Sequence, residues 1–318
     1  MHKRARILAV GTSLPEKIVT NEHYASYLET SDAWIVRMTG ISERRIVDPL
    51  LPDSAATLGT EAAKIALARA GISAADVDGI IVPTFSPDNI FPSTACTIAE
   101  RLGCRKGVFA FDLSAACAGF VYGLTVANAL VVSGQSKTIL VIGAEVTSRT
   151  VNWDDRGTAP LFGDGAGAVV ITAATGDEGI LSCDMAADPT LGDILRLPLW
   201  SEESKMYMNG HEVFKNAVRL MSASTTAAIE KAGLTFDDID LLIPHQANIR
   251  IIKAIGEYLK LPEDRVVVNV DRYGNTSSAS IPIALNEAWE KGMITPGKTV
   301  VLTGLGGGVT YGSAVIRF

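Results

Sequence analysis

The chain repeats itself, and the repeat limits what it can fold into. Ala70 to Thr84 read AGISAADVDGIIVPT and Ala232 to Gln246 read AGLTFDDIDLLIPHQ, with Gly71 over Gly233, Asp76 over Asp238 and Asp78 over Asp240. Each stretch predicts a helix end closed by glycine, an aspartate-rich turn and a short apolar strand bounded by proline. Further on, Lys137 to Gly143 (KTILVIG) matches Lys298 to Gly304 (KTVVLTG), and Val108 to Asp112 (VFAFD) matches Val267 to Asp271 (VVNVD), in the same order. Helices and strands alternate throughout, a pattern that predicts parallel sheets covered by helices. The reading is a duplicated α/β protein, with residues 1–173 as one half and 174–318 as the other. The chain turns polar and glycine-rich at TAATGDEG, and no long Pro/Ser-rich linker follows, so the halves are expected to share one interface.

At 318 residues, 47% of them hydrophobic, the chain can bury a substantial core. Its formal net charge of −7 argues against nucleic acid as a main partner, because phosphate binding needs a basic surface. No uncharged apolar run approaches the roughly 18 residues of a membrane span. The apolar run Ile7 to Val10 is too short for a signal peptide, and the expected location is the cytoplasm. The cysteines, Cys96, Cys104, Cys117 and Cys183, show neither CxxC nor Cys/His spacing, so neither a structural metal nor a disulfide framework is expected.

In parallel α/β sheets, reactive groups collect where strands lead into helices. Cys117 follows VFAFD by a turn of small residues and precedes the apolar Ala118 to Val132, which reads as a buried helix. A thiol there faces the positive end of the helix dipole, an arrangement that favours thiolate, although cysteine is equally at home as a small buried hydrophobe. His245 ends the strand DLLIP, and Asn275 lies just past the expected strand RVVVNVD in RYGNTSSAS. Taken singly, the histidine fits a satisfied polar residue and Gly-Asn fits a turn. Taken together, Cys, His and an amide at comparable sites of two symmetric halves can meet in one pocket for thiol chemistry. The glycine clusters Gly163 to Gly167 and Gly306 to Gly308 precede strands, whereas a dinucleotide loop follows a strand and opens a helix. They fit tight turns or bare N–H groups facing a ligand.

Longer motifs carry a resemblance over the whole chain: TSDAWIVRMTGI (Thr30 to Ile41), AACAGF around Cys117, DRGTAPLFGDGAGA (Asp155 to Ala168), PHQANIRII (Pro244 to Ile252), GNTSSASIP (Gly274 to Pro282) and GGGVTYGSAVIRF (Gly306 to Phe318). The chain resembles β-ketoacyl-acyl carrier protein synthase III of the thiolase superfamily. The resemblance implies a layered αβαβα fold, a homodimer and no cofactor, coenzyme A thioester being a substrate. It implies that Cys117 takes an acyl group from acyl-CoA. Malonyl-acyl carrier protein then loses carbon dioxide, and its carbanion attacks the acyl-enzyme. The N–H groups of Cys117 and Gly307 would hold the tetrahedral oxyanion, while His245 and Asn275 would act as donors to the enolate.

The same resemblance assigns coenzyme A contacts to Trp34, Arg37, Arg156, Gly210, Phe214, Asn248 and Arg250, with tryptophan and arginine flanking adenine. Trp34 also fits an ordinary half-buried aromatic, and the arginines fit solvated surface charges. Phe91 matches a position that floors the partner's acyl pocket. An acidic carrier protein is expected to dock on Lys215, Arg250 and Lys253; Arg250, Lys253 and Lys260 recur at helical spacing as one basic edge, which Glu257 interrupts, and a simple solvated face fits as well. Members usually carry Arg where Met38 stands, with Arg37 one place earlier here, and Phe where Leu305 stands. The rival readings are a condensing enzyme of the same fold in secondary metabolism, one that joins acyl-CoA chains without a carrier, and an acyl-thioester binding or hydrolysing protein. Retention of Cys117, His245 and Asn275 argues against the last.

Overall fold

A computed structural model describes residues 4–199 and 205–318. Nine strands build two mixed sheets. The first contains β1 (Ala5–Ser13), β2 (Gly79–Pro83), β3 (Phe109–Leu113), β4 (Thr138–Glu145) and β5 (Gly165–Ala173), in the order β1-β5-β4-β2-β3. The second contains β6 (Gly179–Ala187), β7 (Leu241–Pro244), β8 (Thr299–Gly306) and β9 (Thr310–Arg317), in the order β7-β8-β9-β6.

The duplication expected from the repeat is visible in these orders. Reading β6 as β1, β9 as β5, β8 as β4 and β7 as β2, the sheets match strand for strand until β3. The sheets are not wholly parallel as expected. Strand β2 runs parallel to β3 and β4, and β7 to β8, but β5 is antiparallel to β1 and β4, and β9 to β8 and β6. The chain reverses into β9 through the short glycine-bearing turn Gly307–Val309 and returns beside β8, whereas β5 follows β4 only after the connection 146–164 and still pairs with it antiparallel.

The strand expected at Val267 to Asp271 does not form. Its place holds a single bridge between Leu242 and Val266, followed by a short helical turn, Val270–Tyr273. The buried Gln246 side chain substitutes for a neighbouring strand. Its Nε2 donates to Pro244 O (2.8 Å) and Val267 O (3.1 Å), and its Oε1 accepts from Asn269 N (2.9 Å) and Val270 N (3.2 Å). With the backbone groups satisfied by an amide, the ladder has no role left to play.

Two helices lie between the sheets. One is α4 (Gly119–Val132), which carries no charged residue, and the other is α7 (Ser280–Glu290). Phe120, Leu124, Ile281 and Leu285 meet Ile81 and Val141 of one sheet and Ile243 and Leu302 of the other in a common core. The opposite face of the first sheet, Ile80, Leu140 and Ile142, packs under α2 (Ala55–Ala70) and α3 (Thr94–Leu102). That of the second, Leu242, Val301 and Val315, packs under α5 (Gly210–Lys231) and α6 (Ile249–Tyr258). Strands covered on both faces need apolar residues at every position, which is why IIV, ILVI and VVL read as unbroken runs. The result is the αβαβα layering expected of the resemblance. One further helix, α1 (Asp32–Thr39), lies beside α6 at the rim of the cavity.

Candidate active site

The N-termini of the two central helices meet at a cavity of about 700 Å³, lined by Cys117, His245 and Asn275 together. Cys117 comes from the first half of the chain, and His245 and Asn275 come from the second. Backbone strain marks the spot: Ala116, Ser277 and Val309, none of them glycine, adopt φ of +44°, +49° and +48°. Each sits one or two residues from a cavity-lining group, and strained conformations of this kind persist where packing holds a site in shape.

Cys117 stands in a single turn of 3₁₀ helix, Ala116–Ala118, ahead of α4 and is buried. The expectation that the helix end would lower its thiol is overturned. Burial pushes the thiol up to about 12, the otherwise unpartnered Ser277 hydroxyl pulls the other way, and a charge on Glu145 would raise it further. A thiolate in a dry site loses more hydration than a partial helix charge returns. Burial therefore favours the neutral thiol at Cys117.

His245 follows β7, its N–H bonded to Thr303 O at 2.8 Å. Its ring is buried, and burial lowers its pKa to about 3, so it is neutral. Nδ1 lies 2.6 Å from Ser280 Oγ, and the same hydroxyl accepts the Gln246 N–H at 3.4 Å. Assigned from this network, the serine proton points at Nδ1, and the ring proton sits on Nε2. A neutral imidazole held this way donates from Nε2.

Asn275 is clamped by the other half of the chain: its N–H donates to Leu161 O (2.8 Å) and its carbonyl accepts from Gly163 N (3.0 Å). Gly163 permits that approach, since a Cβ there would stand 2.2 Å from Tyr273 O. Its Oδ1 accepts Ser277 N–H at 2.8 Å, an arrangement that identifies the oxygen and leaves Nδ2 as the donor end. Two donors and a thiol thus share one cavity.

The Gly306 to Gly308 segment runs against the cysteine turn. A Cβ on Gly306 would stand 2.5 Å from Cys117 N, so glycine is required for the contact. Gly307 lines the cavity next to it.

Further out, Trp34, Arg156, Gly210, Phe214, Asn248 and Arg250 also line the cavity. The Arg156 guanidinium lies 5.2 Å from the Trp34 ring, and Arg250 lies 5.2 Å from the Phe214 ring. A flat ring stacked between Trp34 and Arg156 needs about 3.5 Å on each side, so Arg156 has to lift to admit one. Met38 and Leu305 both face the cavity, and Met38 O accepts from Asn248 Nδ2 at 3.0 Å. Arg37 does not. It is exposed and outside the cavity lining, because successive helical residues point about 100° apart and Met38 takes the inward direction. Lys215 and Lys253 are exposed outside the cavity, and Lys253 stands 3.6 Å from Glu263. Phe91 is 85% exposed and does not touch its own chain's cavity.

Several groups escaped sequence reasoning. Ser280 stands among the serines of GNTSSASIP, where nothing local singles it out, and Glu145 ends an apolar strand whose repeat carries no equivalent carboxylate. Leu195 and Met208 reach the cavity from the short strand pair Leu195–Arg196 with Tyr207–Met208, and Met206 from just beside it, and no periodicity signals them.

The layered fold, with a cysteine, a neutral histidine and an amide donor at one cavity, defines an acyl-condensing ketosynthase of the thiolase class. The comparisons narrow this. Residues 111–189 match the family model for 3-oxoacyl-[acyl-carrier-protein (ACP)] synthase III, and residues 229–318 match that for its C-terminal part. The chain is 50% identical to β-ketoacyl-[acyl-carrier-protein] synthase III of Acidiphilium cryptum, over 99% of this chain and 100% of that protein. It superposes on the crystal structure of 3-oxoacyl-[acyl-carrier-protein] synthase III from Aquifex aeolicus with a TM-score of 0.95 and 44% identity, covering 99% and 100% of the two chains. It is also similar to the priming β-ketosynthase of the R1128 polyketide pathway, at 33% identity and a TM-score of 0.93, covering 99% and 97%. The chain belongs to the 3-oxoacyl-[acyl-carrier-protein] synthase III family.

Proposed function

We propose that this enzyme starts fatty-acid synthesis by condensing an acyl-CoA primer with malonyl-acyl carrier protein. In the first stage Cys117 Sγ attacks the thioester carbonyl, the carbon–sulfur bond to coenzyme A breaks, and the thiol proton leaves with the coenzyme A sulfur. The N–H groups of Cys117 and Gly307 take the oxyanion. In the second stage malonyl loses carbon dioxide, and charge builds on its thioester oxygen, where His245 Nε2–H and Asn275 Nδ2–H donate. The carbanion then attacks the acyl carbonyl carbon, the new carbon–carbon bond forms as the bond to Cys117 Sγ breaks, and the departing thiolate takes a proton from solvent to restore the thiol. The observation that carries this reading is the convergence of two neutral donors on the cavity that holds the thiol.

Arg156 and Trp34 mark the adenine end of the channel, and Arg250 with Phe214 marks its mouth. The carrier protein docks on Arg250, Lys215 and Lys253, basic side chains beside that mouth on an acidic chain. A second copy of the chain completes the enzyme. Strand β3 is paired only through β2 in its sheet, and its FAFDL side chains are half-buried or exposed, with Phe111 37% exposed and Ile90 and Phe91 nearby at 63% and 85%. Such an edge is suited to pairing with its own copy. A cytoplasmic location keeps the reactive thiol reduced.

The test is intact-mass measurement after incubation with a panel of acyl-CoAs, followed by assay of the β-keto product. Cys117 should gain one acyl group, Cys117→Ser should not, and malonyl-acyl carrier protein should outperform malonyl-CoA as extender. Label on Cys96, Cys104 or Cys183 would overturn the assignment. The likeness to a polyketide priming enzyme keeps secondary metabolism as the second reading, which a preference for a polyketide carrier protein over the fatty-acid one would establish.

A further inference from the structure

Glu145, at the end of β4, is wholly buried behind the cysteine turn and takes no part in the chemistry above. It ties the two halves together. Oε2 accepts from Thr84 Oγ1 (3.1 Å), Phe85 N (3.2 Å), Ser86 N (3.2 Å) and Ser86 Oγ (2.5 Å), all from the loop after β2. Oε1 faces the turn after Asn275, 2.8 Å from Ser278 Oγ and 3.4 Å from Ser278 N.

Counting protons singles out one contact. Ser278 Oγ also lies 2.8 Å from Pro83 O. A hydroxyl carries one proton, and a carbonyl carries none. Two oxygens at that distance need a hydrogen between them, so the pairs Ser278–Pro83 and Ser278–Glu145 require two protons, and Ser278 supplies only one. The other has to come from the carboxyl group. Ser86 Oγ and Thr84 Oγ1 each accept a backbone N–H, from Val146 (2.9 Å) and Ser86 (3.2 Å), which leaves their own protons for Oε2. With one hydrogen for each short oxygen–oxygen contact, the chain of donors closes when Oε1 bears hydrogen.

We infer that Glu145 is a protonated positioning residue. Its Oε1–H donates to Ser278 Oγ and locks the Ser277 turn to the Thr84–Ser86 loop, while no negative charge stands behind the Cys117 thiol. Burial, which raises the affinity of this carboxyl for its proton, acts in the same direction. Among the groups facing Glu145 from the Thr84–Ser86 loop, the Ser277–Ala279 turn and the cysteine turn, Cys117 is the titratable one. A charge on Glu145 would oppose its ionisation.

The consequence for catalysis rests on Cys117 being the nucleophile, but the protonation itself can be read without turnover. Glu145→Gln replaces O–H by N–H and keeps a carbonyl for the loop donors. In the unfolded chain Glu145 ionises near 4.5. A group that stays protonated in the fold contributes stability below that value and loses it as pH rises. The unfolding constant of wild type should then grow relative to E145Q by up to about tenfold per pH unit between pH 5 and 7. A flat difference, or one of opposite slope, overturns the proposal. Infrared difference spectra of wild type against E145Q should show a carboxylic-acid band that the variant lacks, and a carboxylate band in its place overturns it. If E145Q does not fold, wild type grown with carbon-13 glutamate decides alone, by the presence or absence of an isotope-shifted acid band at neutral pH. An acid band in a protein that fails to acylate Cys117 would count against the proposed function and leave this inference standing.

Discussion

Ser280 Oγ lies 2.6 Å from Nδ1 of His245, at the first turn of the central helix α7. The contact chooses the imidazole tautomer, and through it the atom that faces the cavity. Loss of the hydroxyl frees the proton to move to Nδ1, where it cannot reach an enolate. Ser280→Ala should therefore slow malonyl decarboxylation about tenfold, the equivalent of one hydrogen bond of about 1.4 kcal/mol, while acyl loading of Cys117 stays within about twofold of wild type. Rapid-quench measurement of the two half-reactions separates these effects. Equal loss in both would make Ser280 a purely structural residue.

His245→Ala and Asn275→Ala should still take an acyl group at Cys117 and lose decarboxylation by about a hundredfold or more, the range seen when an oriented donor is removed from a transition state. Intact mass reports the first and carbon dioxide release the second. Loss of acylation with decarboxylation intact would reverse the roles.

Gly306→Ala would bring a Cβ to 2.5 Å from Cys117 N and 2.6 Å from Ala115 O, both backbone atoms that cannot swing aside. Overpacking of this kind costs about 1–3 kcal/mol. The cysteine turn has to move, and loading should fall at least about tenfold. Thermal unfolding and single-turnover acylation check the two parts.

His245 also leaves a signature in stability against pH. It titrates at 6.5 when unfolded and at about 3 when buried, so its lowered value means that stability is fully present above 6.5 and lost as pH falls toward 3. At pH 5 the loss is about 2 kcal/mol. Urea unfolding of wild type and His245→Asn across this window should show the steeper acid decline in wild type, and parallel curves would contradict the burial of a neutral ring.

Met38 lines the cavity beside Asn248, and a thioether cannot supply a cation for adenine. Met38→Arg should tighten acyl-CoA use about two- to fivefold, from a stacking gain of about 0.5–1 kcal/mol, and leave a pantetheine thioester unaffected. Arg37→Ala should change neither donor, because that side chain points to solvent. Equal effects of Met38→Arg on both donors would place its action on the channel wall.

The amino-acid order alone determined the two-fold plan, the layering and the three residues at the cavity. Apolar runs such as IIV and ILVI declare strands covered on both faces, and the same order of parts in each half declares their equivalence. Motif matches around Cys117, His245 and Asn275 then supplied the chemistry. Tertiary structure decided what depends on distant neighbours. Val267 to Asp271 has the composition of a strand, yet Gln246 satisfies its backbone and the ladder stops at one bridge. Strand direction was also settled only in the fold, where β5 and β9 run antiparallel to both of their neighbours. Arg37 and Met38 differ by one position in sequence and by opposite surroundings in the fold. Charge state was the least legible of all. Helix position predicts a thiolate at Cys117, but burial by both halves favours the thiol, and the protonation of Glu145 follows from Ser278 and Pro83, residues far away in the chain. Periodicity records which face of an element is buried, whereas ionisation records everything within a few ångströms, and only folding brings that together.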